Sequence, residues 1–155
     1  MAVKQVIVLR TDIEMKPGKM CSQAAHASMK VLLDRGVIGF RSDICGYDGS
    51  TEATCLYKTA PSTLTPGVPP VFTFPLTPAM KTWLSGAFVK IVVGIDSEAG
   101  LLTLEEKARS LGIPCAIIKD NGKTTFHDVP TYTALAVGPE ESELVDQVTG
   151  GLKLL

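Results

Sequence analysis

The sequence predicts a three-layer α/β/α sandwich built on a four-stranded mixed sheet. Strand-like and helix-like segments alternate along most of the chain, a pattern typical of α/β domains. The predicted strands are short, continuous apolar runs, as expected where helices cover both faces of a sheet. The segment that joins the last two strands, residues 119–131, is too short to contain a crossover helix. Those two strands are therefore expected to be antiparallel, which makes the sheet mixed.

The first strand and the first helix are expected near the amino terminus. Residues 4–10, KQVIVLR, form an apolar run between charged residues, which predicts a central strand. Pro17 and Gly18 open a segment that reaches about Asp34 and is rich in good helix formers. Gly36 is expected to end this helix.

Residues 36–76 are expected to be an insertion within a single domain that spans residues 1–155. Glycine, proline, serine and threonine crowd this segment, which favours an irregular loop packed partly on the domain. The simplest interpretation of the four cysteines is that they are free, mostly buried thiols. A disulfide between Cys45 and Cys55 is the alternative if the protein is secreted.

Regular alternation resumes after the insertion. Thr77 followed by Pro78 has the pattern of a helix N-cap and first helical residue, and Gly86 is expected to end that short helix. In order, the remaining predicted elements are a strand over 88–95, a helix from Ser97 to Gly112, strands over 114–118 and 131–137, and a helix from Pro139 to about Gly150.

Composition and charge narrow the function classes. The chain has 155 residues, 45% of them hydrophobic, which predicts one folded domain with a real core. Lys and Arg number 15 against 16 Asp and Glu, so bulk positive charge cannot hold a nucleic acid, and any RNA contact must be local. No apolar stretch approaches the roughly 20 residues of a membrane helix, and no signal peptide is evident, so a cytoplasmic protein without membrane contact is expected.

The spacing of the cysteines and histidines gives no sign of a metal site. The four cysteines form no C-x-x-C pair, and the two histidines, His26 and His127, are far apart in the sequence. A cysteine nucleophile activated by a helical histidine is also disfavoured, since Cys21 and His26 point to nearly opposite sides of the predicted helix. We therefore expect no metal.

A polar stripe runs along the first predicted helix. At about 100° per residue, Lys19, Gln23, His26 and Lys30 fall within an arc of about 60°. The stripe is either a solvated face or part of a site, and His26 is either catalytic or structural. The residues expected on the opposite, buried side are Cys21, Ala24, Ala25, Ser28, Val31 and Leu32.

The segment DNGKTT, residues 120–125, is the second candidate for chemistry. It places a carboxylate at the carboxyl end of a strand, followed by a glycine turn, a cation and two hydroxyls, where open α/β sheets usually bind ligands. A plain Asx turn fits the same residues equally well. Lys16, Lys19, Lys119 and Lys123 could form a local basic patch beside it for a phosphate-bearing ligand.

Four segments carry a more specific signal: KQVIVLRTD at 4–12, PGKMCSQAAHA at 17–27, IKDNGKT at 118–124 and VDQVTGGLKL at 145–154. In this order they resemble the type II peptidyl-tRNA hydrolase family, and the resemblance covers the chain except for about residues 36–76. It implies an α/β hydrolase without metal or cofactor, a homodimer, that cleaves the ester between peptide and tRNA in peptidyl-tRNA. The tRNA can then be reused.

The resemblance also implies roles for particular residues. The implied catalytic residues are Lys19, Gln23, Asp120, Thr124 and Thr133, and His26 matches the family's helical histidine. The residues expected to contact tRNA are Lys16, Lys30, Lys119 and Lys123. Lys123 and Thr125 stand where the family usually has Arg and Gln, and the turn before Tyr132 is about one residue longer, which bears on the tRNA contacts.

A mechanism and two alternatives follow as hypotheses. Water held by Asp120 with Thr124 or Gln23 would attack the ester carbonyl, and Lys19 would stabilise the oxyanion or anchor the terminal phosphate. One alternative is an inactive RNA- or protein-binding module on the same fold, with the insertion as its recognition surface. The other is a hydrolase for a different ester or nucleotide conjugate.

Overall fold

The computed structural model describes residues 2–40 and 70–155, which belong to two compact units. The larger unit comprises the chain up to residue 34 together with residues 76–155, and the smaller comprises residues 35–75. The expectations for residues 41–69, including a pairing of Cys45 with Cys55, lie outside the described residues.

The described elements alternate as the sequence predicts, with three additional short strands. In chain order they are β1 (Val3–Arg10), α1 (Pro17–Leu33), β2 (Val37–Phe40), β3 (Pro70–Thr73), α2 (Pro78–Ser85), β4 (Lys90–Ile95), α3 (Glu98–Ser110), β5 (Cys115–Asp120), β6 (Thr131–Glu141), α4 (Ser142–Thr149) and β7 (Lys153–Leu154). No helix in the described part of the chain is long and apolar enough to cross a membrane.

The central sheet of the larger unit is mixed, as predicted, but has five strands instead of four. Its order is β5-β6-β1-β4-β7, with β1 parallel to β4 and the other neighbours antiparallel. The fifth strand is β7, in which Lys153 and Leu154 pair with Gly94 and Val93. A two-residue strand has no hydrophobic period of its own, so the prediction missed it.

Helices cover both faces of this sheet and form the predicted three-layer sandwich. Side chains alternate along β1. Val6 and Val8 join a buried cluster with residues of α3 and α4, such as Leu101. The intervening Ile7 and Leu9 are equally buried and face the side on which α1 and α2 pack against the sheet. β1 therefore lies in the centre of the core.

The starts of three helices agree with the signals in the sequence. Thr77 Oγ1 accepts a hydrogen bond from the amide of Met80 at 3.1 Å, which caps α2. Ser97 caps α3 in the same way, with its Oγ 3.2 Å from the amide of Gly100. Pro17 occupies the first turn of α1, where its missing N–H costs nothing.

The last helix begins later than predicted. Pro139 is not its first residue, because β6 continues to Glu141 and α4 starts at Ser142. Glu140 pairs with Lys4 of β1 after a shift in register, so the ladder with β1 keeps this segment extended. Acidic residues after a proline are typical of a helix start, but here pairing with a central strand prevails over that local preference.

The buried face of α1 is also rotated from the predicted one. Cys21 and Ala25 were expected on the buried side and are exposed, whereas Gln23 and Ala27 are buried. The predicted burial of Ser28, Val31 and Leu32 is confirmed. Because glutamine is polar, a hydrophobicity pattern predicts that Gln23 is exposed. Its burial indicates that its amide has hydrogen-bond partners within the fold.

The smaller unit contains an antiparallel ribbon where the sequence predicted an irregular loop. β2 pairs with β3 in a register that joins Val37 to Thr73 and Ile38 to Phe72. The rings of Phe72 and Phe74 lie 5.9 Å apart, centroid to centroid. The glycine and proline content of the surrounding segment concealed these two short β-rich runs.

Candidate active site

An open cleft lies where α1 meets the loop that follows β5. Its volume is about 1210 Å³, and it is the larger of two neighbouring cavities in the larger unit. The predicted site residues in its lining are Lys16, Lys19, Gln23, His26, Asp120 and Thr124. Lining residues that the sequence did not single out for a role include Ile13, Glu14, Ser22, Phe126 and His127.

Asp120 is the centre of a hydrogen-bond network in this cleft. Its Oδ2 forms an ion pair with Lys19 and accepts a hydrogen bond from Gln23 Nε2 at 2.9 Å. Its Oδ1 accepts one from the backbone amide of Gly122 at 2.8 Å. The hydrogen bond from Lys19, helped by those from Gly122 and Gln23, lowers the pKa of Asp120 despite its burial. Asp120 is therefore ionised at neutral pH.

Gln23 is held at both ends of its amide. Thr133 donates its hydroxyl hydrogen to Gln23 Oε1 at 2.5 Å, and both side chains are buried. Because the oxygen of the amide is occupied by Thr133, the Nε2 group is directed to Asp120. A chain of three side chains thus runs from β6 through α1 to the end of β5.

An irregularity in the sheet accompanies the position of Thr133. β5 and β6 are in register up to the pair of Ile118 with Ala134, and the next pair is Lys119 with Tyr132. Thr133 is the extra residue between these pairs, as in a β-bulge, which typically redirects a side chain and is common near functional sites. The bulge lies within two residues of Asp120 along the paired strands.

Arg10 braces the same region from β1, a role that the sequence analysis missed. The guanidinium is buried and donates from Nη1 to the carbonyl oxygen of Tyr132 at 3.0 Å. It also pairs with Asp12 through two hydrogen bonds of 3.0 and 2.6 Å and with Glu98 at 2.8 Å. The hydrogen bonds between Arg10 and Asp12 raise the pKa of Arg10 and lower that of Asp12. In the sequence, this role is indicated by an arginine at the end of an otherwise apolar strand.

The turn after β5 brings further groups to Lys19. Lys19 Nζ lies 3.3 Å from Thr124 Oγ1 and 5.7 Å from the centre of the Phe126 ring. Gly122 has φ +84°, and a Cβ there would lie 2.5 Å from the carbonyl oxygen of Val129. The Asx-turn interpretation is correct for Asp120, since its Oδ1 accepts from the amide of Gly122.

The structure distributes the remaining predicted residues over two cavities. His26 is exposed and lines both the cleft and a second groove of about 620 Å³ beside it. Lys16 lines the cleft, whereas Lys30 and Lys119 line the groove. Lys123 is exposed and lines neither. The basic residues thus do not gather around one cavity as the predicted patch implied.

The chemistry available in the cleft is that of a carboxylate, an ammonium group and a hydroxyl. Asp120 can orient and deprotonate water, Lys19 can stabilise negative charge, and Thr124 can donate or accept a hydrogen bond. Across the two described ranges, no group of three or more His, Cys, Asp or Glu residues is placed to hold a metal ion.

Comparison with known proteins confirms the resemblance. The family profile "Peptidyl-tRNA hydrolase PTH2" matches residues 3–155. A peptidyl-tRNA hydrolase of Sulfurisphaera tokodaii is 36% identical over 155 residues, which cover both chains completely. Those of Methanocaldococcus jannaschii and Thermococcus onnurineus are 33% and 34% identical, over 99% and 98% of this chain and 100% and 97% of their own. The chain belongs to the peptidyl-tRNA hydrolase PTH2 family.

Proposed function

We propose that this protein hydrolyses the ester bond between peptide and tRNA in peptidyl-tRNA and so returns tRNA to translation. Family membership and the names of its relatives support this activity. The observation that carries it is the convergence of Lys19 and Gln23 on the ionised carboxylate of Asp120 within an open cleft. An ester is more reactive than an amide, so these few groups suffice for its hydrolysis.

Asp120 is the group that positions the attacking water. Among the described residues, Oδ1 accepts a single hydrogen bond, from Gly122, so its second lone pair is free for water. The water oxygen adds to the ester carbonyl carbon while Asp120 accepts a proton. Gln23 is engaged at both ends of its amide, so its role is to orient Asp120, and Thr124 is the better second partner for the water.

Lys19 stabilises the negative charge that develops on the carbonyl oxygen. Its ammonium group lies beside Asp120 and Thr124, and the water held by these two residues attacks an ester carbonyl at the same point. Collapse of the tetrahedral intermediate breaks the bond between the carbonyl carbon and the ribose oxygen. The proton held by Asp120 passes to that oxygen, which leaves as the terminal hydroxyl of the tRNA. The second proton of the water is released from the peptide carboxyl to solvent, so the peptide leaves as a carboxylate.

The tRNA contacts are local cations. Lys16 lines the cleft and is the natural partner of the phosphate nearest the ester. Lys123 lies outside both cavity linings and would contact the RNA beyond its terminal nucleotide. Lys30 and Lys119 line the neighbouring groove, so they are left out of the proposed tRNA contacts. His26 is exposed at the boundary of both cavities, where it would contact substrate. A His26→Gln variant with an unchanged pH profile would assign it a purely structural role.

We further propose a cytoplasmic homodimer, in which residues 1–155 form one domain and about 36–76 an insertion. The family resemblance supports the dimer, and a role in translation supports the cytoplasm. All catalytic residues proposed here lie in the larger compact unit, which supports an insertion that the chemistry does not need. Sedimentation at micromolar concentration tests the dimer, and a single monomeric species would refute it.

Release of N-acetylaminoacyl groups from tRNA by the purified protein, with a chelator present, tests the proposed activity. Turnover of this substrate without turnover of a free acylated adenosine is the expected result. Equal turnover of both would favour a hydrolase for other esters. Retained tRNA binding without any turnover would favour the inactive binding module.

A further inference from the structure

The second groove runs along α1 and the end of β5. Its volume is about 620 Å³, and it shares four lining residues with the cleft: Gln23, His26, Asp120 and Asn121. Both cavities therefore meet at Asp120, and a molecule whose reactive bond lies there can extend into each of them.

The linings of the two cavities differ in chemistry. Apart from the shared residues, the cleft presents mainly cations, hydroxyls and an aromatic ring, which are Lys16, Lys19, Ser22, Thr124, Thr125 and Phe126. The groove has more apolar side chains, Ala25, Met29, Leu33 and Ile118, together with the charged residues Lys30, Asp34 and Lys119. Met29 and Leu33 remain 51% and 49% exposed, which leaves apolar area available for a ligand.

The two lysines of the groove already have partners. Lys30 Nζ forms an ion pair of 2.7 Å with Asp34, and Lys119 Nζ lies 4.9 Å from the centre of the Tyr132 ring. The apolar side chains are therefore the lining groups that have the most to gain from a ligand.

The groove also borders an edge of the sheet. β5 is the terminal strand of the sheet, with β6 as its neighbour on one side. An edge strand presents backbone amide and carbonyl groups with which an extended peptide can pair whatever its side chains are. Such pairing suits a substrate whose peptide sequence varies.

We propose that this groove binds the peptide part of peptidyl-tRNA, which extends from the ester at Asp120 along the outer edge of β5. The inference rests on the proposed function, because it takes the scissile ester to lie at Asp120. That ester joins a peptide to a polyanion, and apolar side chains make up a larger share of the groove lining than of the cleft lining. The nucleic-acid part accordingly occupies the cleft.

The test compares two substrates on one tRNA: acetylglycyl-tRNA and acetyl-leucyl-leucyl-glycyl-tRNA. Truncation of Met29 or Leu33 to alanine removes apolar contact with the longer peptide only. Met29→Ala and Leu33→Ala should therefore lower kcat/KM for the longer substrate about fivefold more than for acetylglycyl-tRNA. Leu111→Ala is the matched control, since Leu111 is similarly exposed, at 41%, and lines neither cavity.

Three other outcomes would overturn the proposal. An equal change for both substrates would show that the groove does not contact the peptide. A switch from dimer to monomer on sedimentation of Met29→Ala, with unchanged peptide dependence, would show that the groove binds a second copy of the chain. Failure of the wild type to release even acetylglycine would refute the proposed function itself, and the groove with it.

Discussion

Thr133 donates its hydroxyl hydrogen to Gln23 Oε1 at 2.5 Å, and this bond fixes the Gln23 amide in the orientation in which Nε2 faces Asp120. The two residues are 110 positions apart in the sequence and lie on different layers of the sandwich. Without the donor on β6, the amide would be held in this orientation from the Asp120 side alone, and its oxygen would lose its buried partner.

Replacement of Thr133 by valine tests this relationship. The substitution keeps the shape of the side chain and removes the donor, so Gln23 can rotate and leaves a buried oxygen unpaired. We expect kcat to fall about tenfold, a cost of the size measured for one lost hydrogen bond to a charged network. Thr133→Ser retains the hydroxyl and should stay close to wild type. Equal rates for the two variants would contradict the orienting role.

The ion pair between Lys19 and Asp120 predicts a definite pH behaviour. Since the hydrogen bond from Lys19 is the largest cause that lowers the pKa of Asp120 below 3.8, Lys19→Met should raise that pKa. Because the pKa of Asp120 is lowered on folding, the stability that its ionised form contributes is fully present above its unfolded pKa and is lost as the pH falls through the lower folded pKa.

Carbon-13 NMR titration of the Asp120 carboxyl in both proteins measures this directly. A pKa that is unchanged or lower in Lys19→Met would show that the ammonium group does not stabilise the carboxylate.

Turnover should also fall by about a hundredfold or more in Lys19→Ala, because the developing oxyanion loses its cation. A rate near that of the wild type would remove Lys19 from the mechanism.

Arg10 is expected to act on catalysis through Tyr132 and the bulge at Thr133. Arg10→Met removes the donor to the Tyr132 carbonyl, which should lower kcat about tenfold with little change in KM. Arg109→Met is the control, since Arg109 is 64% exposed, pairs with Glu105 and lines neither cavity. If Arg10→Met lowered the melting temperature but left kcat intact, Arg10 would be structural only.

Lys16 should contribute to the salt dependence of tRNA binding. Each lysine that neutralises a phosphate adds about 0.7 to 0.9 to the slope of log K against log salt concentration. Lys16→Ala should reduce that slope by about this amount, whereas Lys81→Ala, an exposed lysine on α2 outside both cavities, should leave it unchanged. An affinity that did not respond to salt would refute the proposed phosphate contacts.

Hydrophobic patterns and caps predicted most of the fold because they are local. The apolar run of β1, Pro17 at the start of α1 and the caps Thr77 and Ser97 all lie where the structure has them. Glu140 was read as helical because its pairing with Lys4 depends on residues far away in the sequence. β7 was missed because a strand of two residues has no hydrophobic period of its own.

In the candidate site too, what depends on local residue types was predictable and what depends on distant partners was not. Residue types and motifs identified Lys19, Gln23 and Asp120 as candidates, and the structure places Lys19 and Gln23 within hydrogen-bond distance of Asp120. The burial of Gln23 could not be predicted, because a glutamine is buried only when distant partners satisfy its amide. Arg10 was missed since its partners, among them Tyr132, come together only in the folded chain.

The central claim is that the charge on Asp120 drives ester hydrolysis. Asp120→Asn keeps the size of the side chain and an oxygen that can accept from Gly122, but it removes the charge. Asp128→Asn is the matched control, because Asp128 is an exposed carboxylate in the same loop and lines neither cavity.

The measurement is single-turnover release of N-acetylaminoacyl groups from tRNA, with tRNA affinity determined in parallel. We expect Asp120→Asn to release the group about a hundredfold more slowly, or slower still, at an affinity close to that of the wild type. Release by Asp120→Asn at the rate of Asp128→Asn would contradict it.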